Sequence, residues 1–86
     1  MKLSFTPKGW EQYQWAVATD KHLLKRLNLL IQDTLRSPFE GIGKPEPLKN
    51  DFSGYWSRRI TEEHRLVYEV RDDEILILLC RGHYEH

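Results

Sequence analysis

The sequence has almost no cysteine and no long apolar run, and each absence excludes a class of protein. The single cysteine, Cys80, cannot form an internal disulfide, and the spacings CxxC and HxxxH are both absent. The longest apolar run, residues 75–80, has the length of a strand, whereas a membrane span needs ~20 residues. We therefore expect neither a disulfide scaffold nor a membrane protein, and no metal or cofactor.

The sequence also lacks an excess of charge of either sign. Its 13 basic and 13 acidic residues give a formal net charge of zero at pH 7. Affinity for free nucleic acid grows with the number of phosphates that a protein neutralises, so this balance argues against binding by overall electrostatics. An activity on RNA would need a local cluster of cations, or a larger partner that delivers the substrate.

The chain of 86 residues predicts one small domain, residues 1–86, with a modest core and room for one site. Its first ten residues contain neither a long apolar segment nor a small-residue cleavage site. We therefore expect a cytoplasmic protein.

The first half of the chain predicts a short strand at residues 1–5 and two antiparallel helices. Thr6 and Pro7 have the residue types of a helix start, and Thr19 with Asp20 can cap the second helix. The second helix should end at Ser37, because proline follows it. The apolar stripe expected on the first helix is Trp10, Tyr13 or Gln14, and Val17. The stripe expected on the second helix is Leu23, Leu27, Leu30, Ile31 and Thr34.

The second half predicts an antiparallel meander of three strands at residues 55–61, 64–71 and 74–81. With the N-terminal strand, this gives an α+β fold in which two helices pack on a small antiparallel sheet. The even positions should face the helices: Trp56, Ile60, Leu66, Tyr68, Val70, Leu76, Leu78 and Cys80. Strict two-residue turns would place the odd residues of one strand beside the even residues of the next. We therefore expect three-residue turns or bulges at both hairpins. Trp56 should be buried.

A long segment, residues 38–54, carries three prolines and three glycines and has neither helical nor strand periodicity. Loops of this length in a compact domain are usually functional or disordered, and we favour a functional loop. It contains Glu46 and Lys49. The odd positions of the strands place Arg59, Arg65 and His83 on the face away from the helices.

These residue types suit RNA cleavage without a metal. A carboxylate can take the proton of the 2′-hydroxyl, guanidinium groups can neutralise the charged phosphorane, and a histidine can protonate the departing 5′-oxygen. Each residue also has an ordinary explanation. Glu46 between two prolines is usually a solvated loop residue, and Arg59 and Arg65 would usually pair with acidic neighbours: Glu62, Glu63 or Glu69. His64, on the apolar parity, is better interpreted as a strand-end residue.

The run PFEGIGKPEPLKNDFSGYWSRRITEEHRLVYEV, followed by CRGHY, resembles the YoeB toxins of bacterial toxin–antitoxin systems, a branch of the RelE superfamily. The similarity covers nearly the whole chain. It implies a microbial-ribonuclease-like fold and an endoribonuclease that cuts mRNA in the A site of the 70S ribosome through a 2′,3′-cyclic phosphate. It also implies a homodimer and a YefM-like antitoxin that neutralises the toxin, with DNA contacted only through the antitoxin complex.

Carried over by position, the resemblance implies a role for six residues. Glu46 matches the general base, His83 the general acid and Arg65 the transition-state stabiliser. The substrate-binding residues it implies are Lys49, Arg59 and Tyr84. The family's chains end at that tyrosine, whereas here residues 85–86 follow.

Two other functions remain open. One is a non-catalytic toxin that blocks the ribosome or binds another protein, as gyrase-inhibiting members of the superfamily do. The other is a subunit that mainly modulates DNA binding by an antitoxin complex, against which zero net charge and the lack of a helix-turn-helix argue. The complete set of Glu46, Arg65 and His83 favours the enzyme.

Overall fold

The computed structural model describes residues 1–83 and places two helices on one face of a five-stranded mixed sheet. The elements in chain order are β1 (Lys2–Phe5), α1 (Pro7–Thr19), α2 (Lys21–Arg36), β2 (Glu46–Pro47), a 3₁₀ turn (Asn50–Phe52), β3 (Tyr55–Arg59), β4 (Arg65–Arg71) and β5 (Glu74–Leu79). The strand order is β1-β5-β4-β3-β2, and β1 runs parallel to β5 while the other pairs are antiparallel. The predicted α+β fold class is confirmed, but the sheet is mixed where an antiparallel sheet was predicted, because β1 pairs parallel with β5, and β2 is an additional edge strand inside the predicted loop.

The helix boundaries follow from local capping. The Thr6 side chain accepts a hydrogen bond from the Gly9 N–H at 3.0 Å, and Pro7 begins α1. Asp20 serves both helices, because its N–H donates to the Ala16 carbonyl and its carboxylate accepts from the Leu23 N–H, both at 3.0 Å. Within residues 1–83, neither helix has the length and hydropathy needed to cross a membrane.

The predicted apolar stripe is confirmed for α2 and wrong for α1. All five predicted residues of α2 are buried, but Trp10 and Val17 are 47% and 52% exposed. The buried residues of α1 are Gly9 and Ala16. The reason is close packing: a Cβ at Gly9 would lie 2.5 Å from the Ile77 carbonyl oxygen. Small residues therefore face β5, and the large side chains lie at the flanks of the helix.

The two hairpins keep the register by different means. Between β3 and β4, Arg59 pairs with Arg65 and the Ile60 N–H donates to the His64 carbonyl, so three residues form the turn and the parity is kept. Between β4 and β5 the turn has two residues, and a register shift follows between Val67 and Tyr68. This confirms the expectation of a three-residue turn or a bulge.

The position of that bulge makes two core predictions wrong. Between the turn and the bulge, Ile75 and Ile77 have no exposed surface, whereas Leu76 and Leu78 are only half-buried. Cys80, beyond the shift, lies in the core as predicted. Trp56 packs against the core beside the Phe39 ring, 4.9 Å between centroids, but is half-buried where full burial was predicted.

Candidate functional site

Glu46 lies on the edge strand β2, directly opposite Ser57 of β3. The segment is held by backbone hydrogen bonds on both sides: the Leu48 N–H donates to the Tyr55 carbonyl at 2.9 Å, and the Arg59 N–H donates to the Gly43 carbonyl at 2.7 Å. Opposed residues of an antiparallel pair point to the same face. The exposed Glu46 carboxylate therefore lies on the face of the sheet opposite the helices.

Arg59 and Arg65 face each other across β3 and β4, two positions along from Ser57 and on the same face. Arg59 is exposed and makes no side-chain hydrogen bond or ion pair with residues 1–83. The Nη1 of Arg65 donates to the carbonyls of Thr61 at 2.7 Å and Glu62 at 3.1 Å, so this guanidinium is held at the β3–β4 turn.

The expected pairing of these arginines with acidic neighbours is not found in the described part of the chain. Glu69 instead accepts from Arg71 Nε at 2.6 Å, and Arg71 also contacts Glu74. The two arginines of the candidate site thus keep their charge available to an anion on this face.

His83 is the residue after Gly82, which is hydrogen-bonded to the backbone of Arg65. The Arg65 N–H donates to the Gly82 carbonyl at 2.9 Å, which places the exposed His83 beside the end of β4. Lys49 is exposed at the start of the 3₁₀ turn, two residues beyond β2. Tyr84 lies outside the described residues. Four neighbouring segments thus bring a carboxylate, two guanidinium groups and an imidazole to one end of the sheet.

A buried cation beneath this face was missed in the sequence. Arg58 has no exposed surface, and its Nη1 lies 2.6 Å from Asp33 Oδ2. Its guanidinium also donates to the Ile42 and Glu40 carbonyls and, through Nε, to the Tyr68 hydroxyl. The sequence contained a signal for this residue. Arg58 occupies an even strand position, and the other even positions predicted to face the helices are apolar, so a buried Arg58 would need an acidic partner.

This network ties the end of α2 to the loop that leads into β2. Asp33 accepts from the Ile42 N–H at 3.0 Å, and the Tyr68 hydroxyl donates to the Pro38 carbonyl at 2.7 Å. The hydrogen bond from Arg58 and then that from Ile42 hold the pKa of Asp33 below its ordinary value. The ionised pair therefore anchors residues 38–42, four residues before Glu46.

The described residues offer neither a reactive thiol nor a cluster of metal ligands. Burial raises the pKa of the Cys80 thiol to about 12, so Cys80 is a core residue and not a nucleophile. Among residues 1–83, no three side chains of histidine, cysteine, aspartate or glutamate are grouped so that they could hold a metal ion.

The sequence matches known proteins over nearly its whole length. Residues 5–84 match the family described as "YoeB-like toxin of bacterial type II toxin-antitoxin system". The chain is 60% identical over 84 residues to Toxin YoeB of Escherichia coli (strain K12), covering 98% of this chain and all of that protein. It is 59% identical over 85 residues to Toxin YoeB of Synechocystis sp., covering 99% of each chain.

Solved structures show the same fold over nearly the whole length. A YoeB/ParE toxin from Agrobacterium tumefaciens superimposes with a TM-score of 0.94 at 48% identity, covering 98% of this chain and all of that one. The YoeB of Staphylococcus aureus, solved as a dimer and in a heterotetrameric complex with YefM, superimposes with a TM-score of 0.90 at 45% identity, covering 98% of both chains. This chain therefore belongs to the YoeB toxins of bacterial type II toxin–antitoxin systems.

Proposed function

We propose that the protein is a ribosome-dependent endoribonuclease that cleaves mRNA in the ribosomal A site without a metal ion. The observation that carries the proposal is the placement of Glu46, Arg59 and Arg65 on one face of the sheet, with His83 one residue beyond the Arg65–Gly82 hydrogen bond. A base, two cations and an acid on neighbouring segments are what transesterification of RNA requires.

The proposed reaction assigns one task to each side chain. Glu46 takes the proton of the 2′-hydroxyl, and the 2′-oxygen attacks the adjacent phosphorus. Arg65 and Arg59 stabilise the negative charge that gathers on the phosphorane oxygens. The bond from phosphorus to the 5′-oxygen then breaks, and His83 gives its proton to that oxygen. The products are a 2′,3′-cyclic phosphate and a 5′-hydroxyl end.

Lys49 and Tyr84 complete the proposed substrate contacts. The exposed Lys49 lies just beyond β2 and can neutralise a neighbouring phosphate. Tyr84 follows His83 in the sequence and is proposed to contact the substrate. The zero net charge fits an enzyme to which the ribosome presents the codon, because a small cationic cluster is then sufficient.

We also propose a YefM-like antitoxin and a second copy of the chain as protein partners, by analogy with the YoeB of Staphylococcus aureus. The structure offers an apolar surface for such contacts. A groove of about 450 Å³ is lined by Leu3, Phe5, Trp10 and Tyr13, among others, and Trp10 is 47% exposed. Cytoplasmic location follows from the ribosome as target.

The test is to map mRNA 5′ ends in a purified translation reaction, with and without ribosomes. Wild type should produce cuts within A-site codons only when ribosomes are present, and Glu46→Gln and His83→Gln should abolish them. Matched controls are Glu40→Gln, an exposed carboxylate of the same loop, and His22→Gln, an exposed histidine on α2. Both controls should cleave like wild type.

Two outcomes would contradict the proposal. Translation that stops while the mRNA stays whole would establish the ribosome-blocking alternative. Cleavage that persists in Glu46→Gln and His83→Gln would show that other groups perform the chemistry.

A further inference from the structure

The segment that carries His83 has no strand of its own. β5 ends at Leu79, so residues 80–83 are held by hydrogen bonds to side chains and to the Arg65 backbone N–H. Gln12 of α1 accepts from the N–H groups of Cys80 at 2.7 Å and Arg81 at 3.1 Å. The Arg81 guanidinium carbon lies 3.7 Å from the centre of the Trp15 ring of α1.

The residue directly before His83, Gly82, is held by the side chain of His64. The Gly82 N–H donates to His64 Nδ1 at 2.7 Å, while the Gly82 carbonyl accepts from the Arg65 N–H. Both polar groups of Gly82 are therefore fixed by consecutive residues of one strand end. Gly82 has φ of +72°, the left-handed region in which glycine is favoured, so the chain turns at this point into His83.

His64 is itself well fixed. Its N–H donates to Thr61 Oγ1 at 3.1 Å, its carbonyl accepts from the Ile60 N–H at 3.0 Å, and its ring lies beside Trp15, 6.0 Å between centroids. An imidazole accepts a hydrogen bond at Nδ1 only when that nitrogen carries no proton. The observed contact therefore requires the neutral ring with its proton on Nε2.

We propose that His64 is a positioning residue that orients the general acid His83 by accepting the Gly82 N–H. This inference rests on the proposed function, in which His83 protonates the leaving oxygen. The two histidines then have opposite requirements, since His83 must carry its proton and His64 must leave Nδ1 free. A protonated imidazole has no acceptor at Nδ1, so protonation of His64 breaks the bond to Gly82.

The charged surroundings of His64 come from three elements. Asp20, His22 and Glu63 line the same cleft of about 300 Å³ as His64, and Arg81 stacks on the Trp15 ring that lies beside His64. The Arg65 guanidinium contacts the His64 carbonyl at 3.2 Å. Variants at His64 leave all of these groups in place, so a change in the pH profile of such a variant reports on His64.

The test compares His64→Asn with His64→Leu in the full-length chain. Asparagine places its Oδ1 near the position of Nδ1 and does not titrate, whereas leucine fills the space without an acceptor. Single-turnover cleavage on ribosomes should fall about 10- to 100-fold in His64→Leu with KM unchanged, as expected when a catalytic group is displaced by about 1 Å. His64→Asn should recover most of the rate, and its acid limb should move to lower pH. His22→Leu should match wild type.

Two results would overturn the proposal: equal rates in the Asn and Leu variants, or an acid limb that is the same in His64→Asn and wild type. A nuclear magnetic resonance measurement distinguishes failure of the positioning role of His64 from failure of the proposed function. The Gly82 amide and His83 ring signals should shift in His64→Leu and stay near wild type in His64→Asn. If those shifts appear while wild type leaves mRNA whole, the proposed function fails and the His64–Gly82 contact stands. Unchanged signals in His64→Leu would reject the contact itself.

Discussion

At the residue scale, the contact whose loss should cost the most stability is the buried ion pair of Arg58 and Asp33. A buried pair that loses one partner leaves an uncompensated charge, which typically costs about 3–5 kcal/mol. We expect Asp33→Asn to lower the free energy of unfolding by about that amount at pH 7, because Arg58 has no exposed surface and cannot turn to solvent. Urea unfolding measures this difference, and Asp72→Asn in the exposed β4–β5 turn is the control.

The same pair predicts sensitivity to acid. Since the pKa of Asp33 is lower in the folded state, chiefly through the Arg58 hydrogen bond, the stabilisation is complete above the unfolded-state value of about 3.9. It is lost as the pH falls through the lower folded-state pKa. Wild type should therefore lose stability steeply below pH about 4. Asp33→Asn should lose less over the same range, and parallel curves for the two proteins would contradict the assignment.

Arg65 makes a second prediction at this scale. Arg65→Ala should lower the cleavage rate by about 10²–10³, the loss typical of one donor to transition-state charge. The fold should survive, because within residues 1–83 the guanidinium contacts three backbone carbonyls, those of Thr61, Glu62 and His64. Circular dichroism and thermal melting check the fold, and end-mapping checks the rate. An unfolded Arg65→Ala would show that this arginine is structural.

At the element scale, the docking of α1 on β5 depends on the absence of a side chain at Gly9. Alanine would raise helix propensity by about 1 kcal/mol, but its Cβ would lie 2.5 Å from the Ile77 carbonyl oxygen. We expect Gly9→Ala to destabilise the protein by about 1–3 kcal/mol, the usual range for overpacking. Gln14→Ala, exposed on the same helix, is the control. A stabilised Gly9→Ala would show that α1 can shift on the sheet.

The elements also show which features the sequence could predict. The caps at Thr6 and Asp20 were predictable because both contacts join residues three apart. The shared face of Arg59 and Arg65 followed from the parity of two strands and a three-residue turn. Features set by distant contacts were not predictable. Strand β2 has two residues, which is too short for a periodic pattern to reveal that it pairs with β3. Arg58 binds Asp33, which lies 25 positions earlier in the sequence.

At the scale of the whole molecule, the two arginines of the candidate site and the Asp72–Asp73 turn lie at opposite ends of β4. Arg65 begins β4 beside Arg59, whereas the other end of β4 carries the turn of Asp72 and Asp73. β4 has seven residues, so the two ends lie about 20 Å apart. The turn of Asp72 and Asp73 therefore lies more than about two Debye lengths from Arg59 and Arg65 at physiological salt.

This arrangement predicts a weak and shallow salt dependence for binding to free RNA. Three cations on phosphates, Lys49, Arg59 and Arg65, give a slope of log K against log salt of about −2 for a single strand. A 2′-deoxy oligonucleotide that cannot be cleaved, titrated at several salt concentrations, measures this slope. Arg59→Ala should reduce the slope by about 0.7, whereas Lys25→Ala, exposed on α2, should leave it unchanged. A slope several times steeper would mean that cations far from the sheet face also bind RNA, and this result would count against the proposal that the ribosome delivers the substrate.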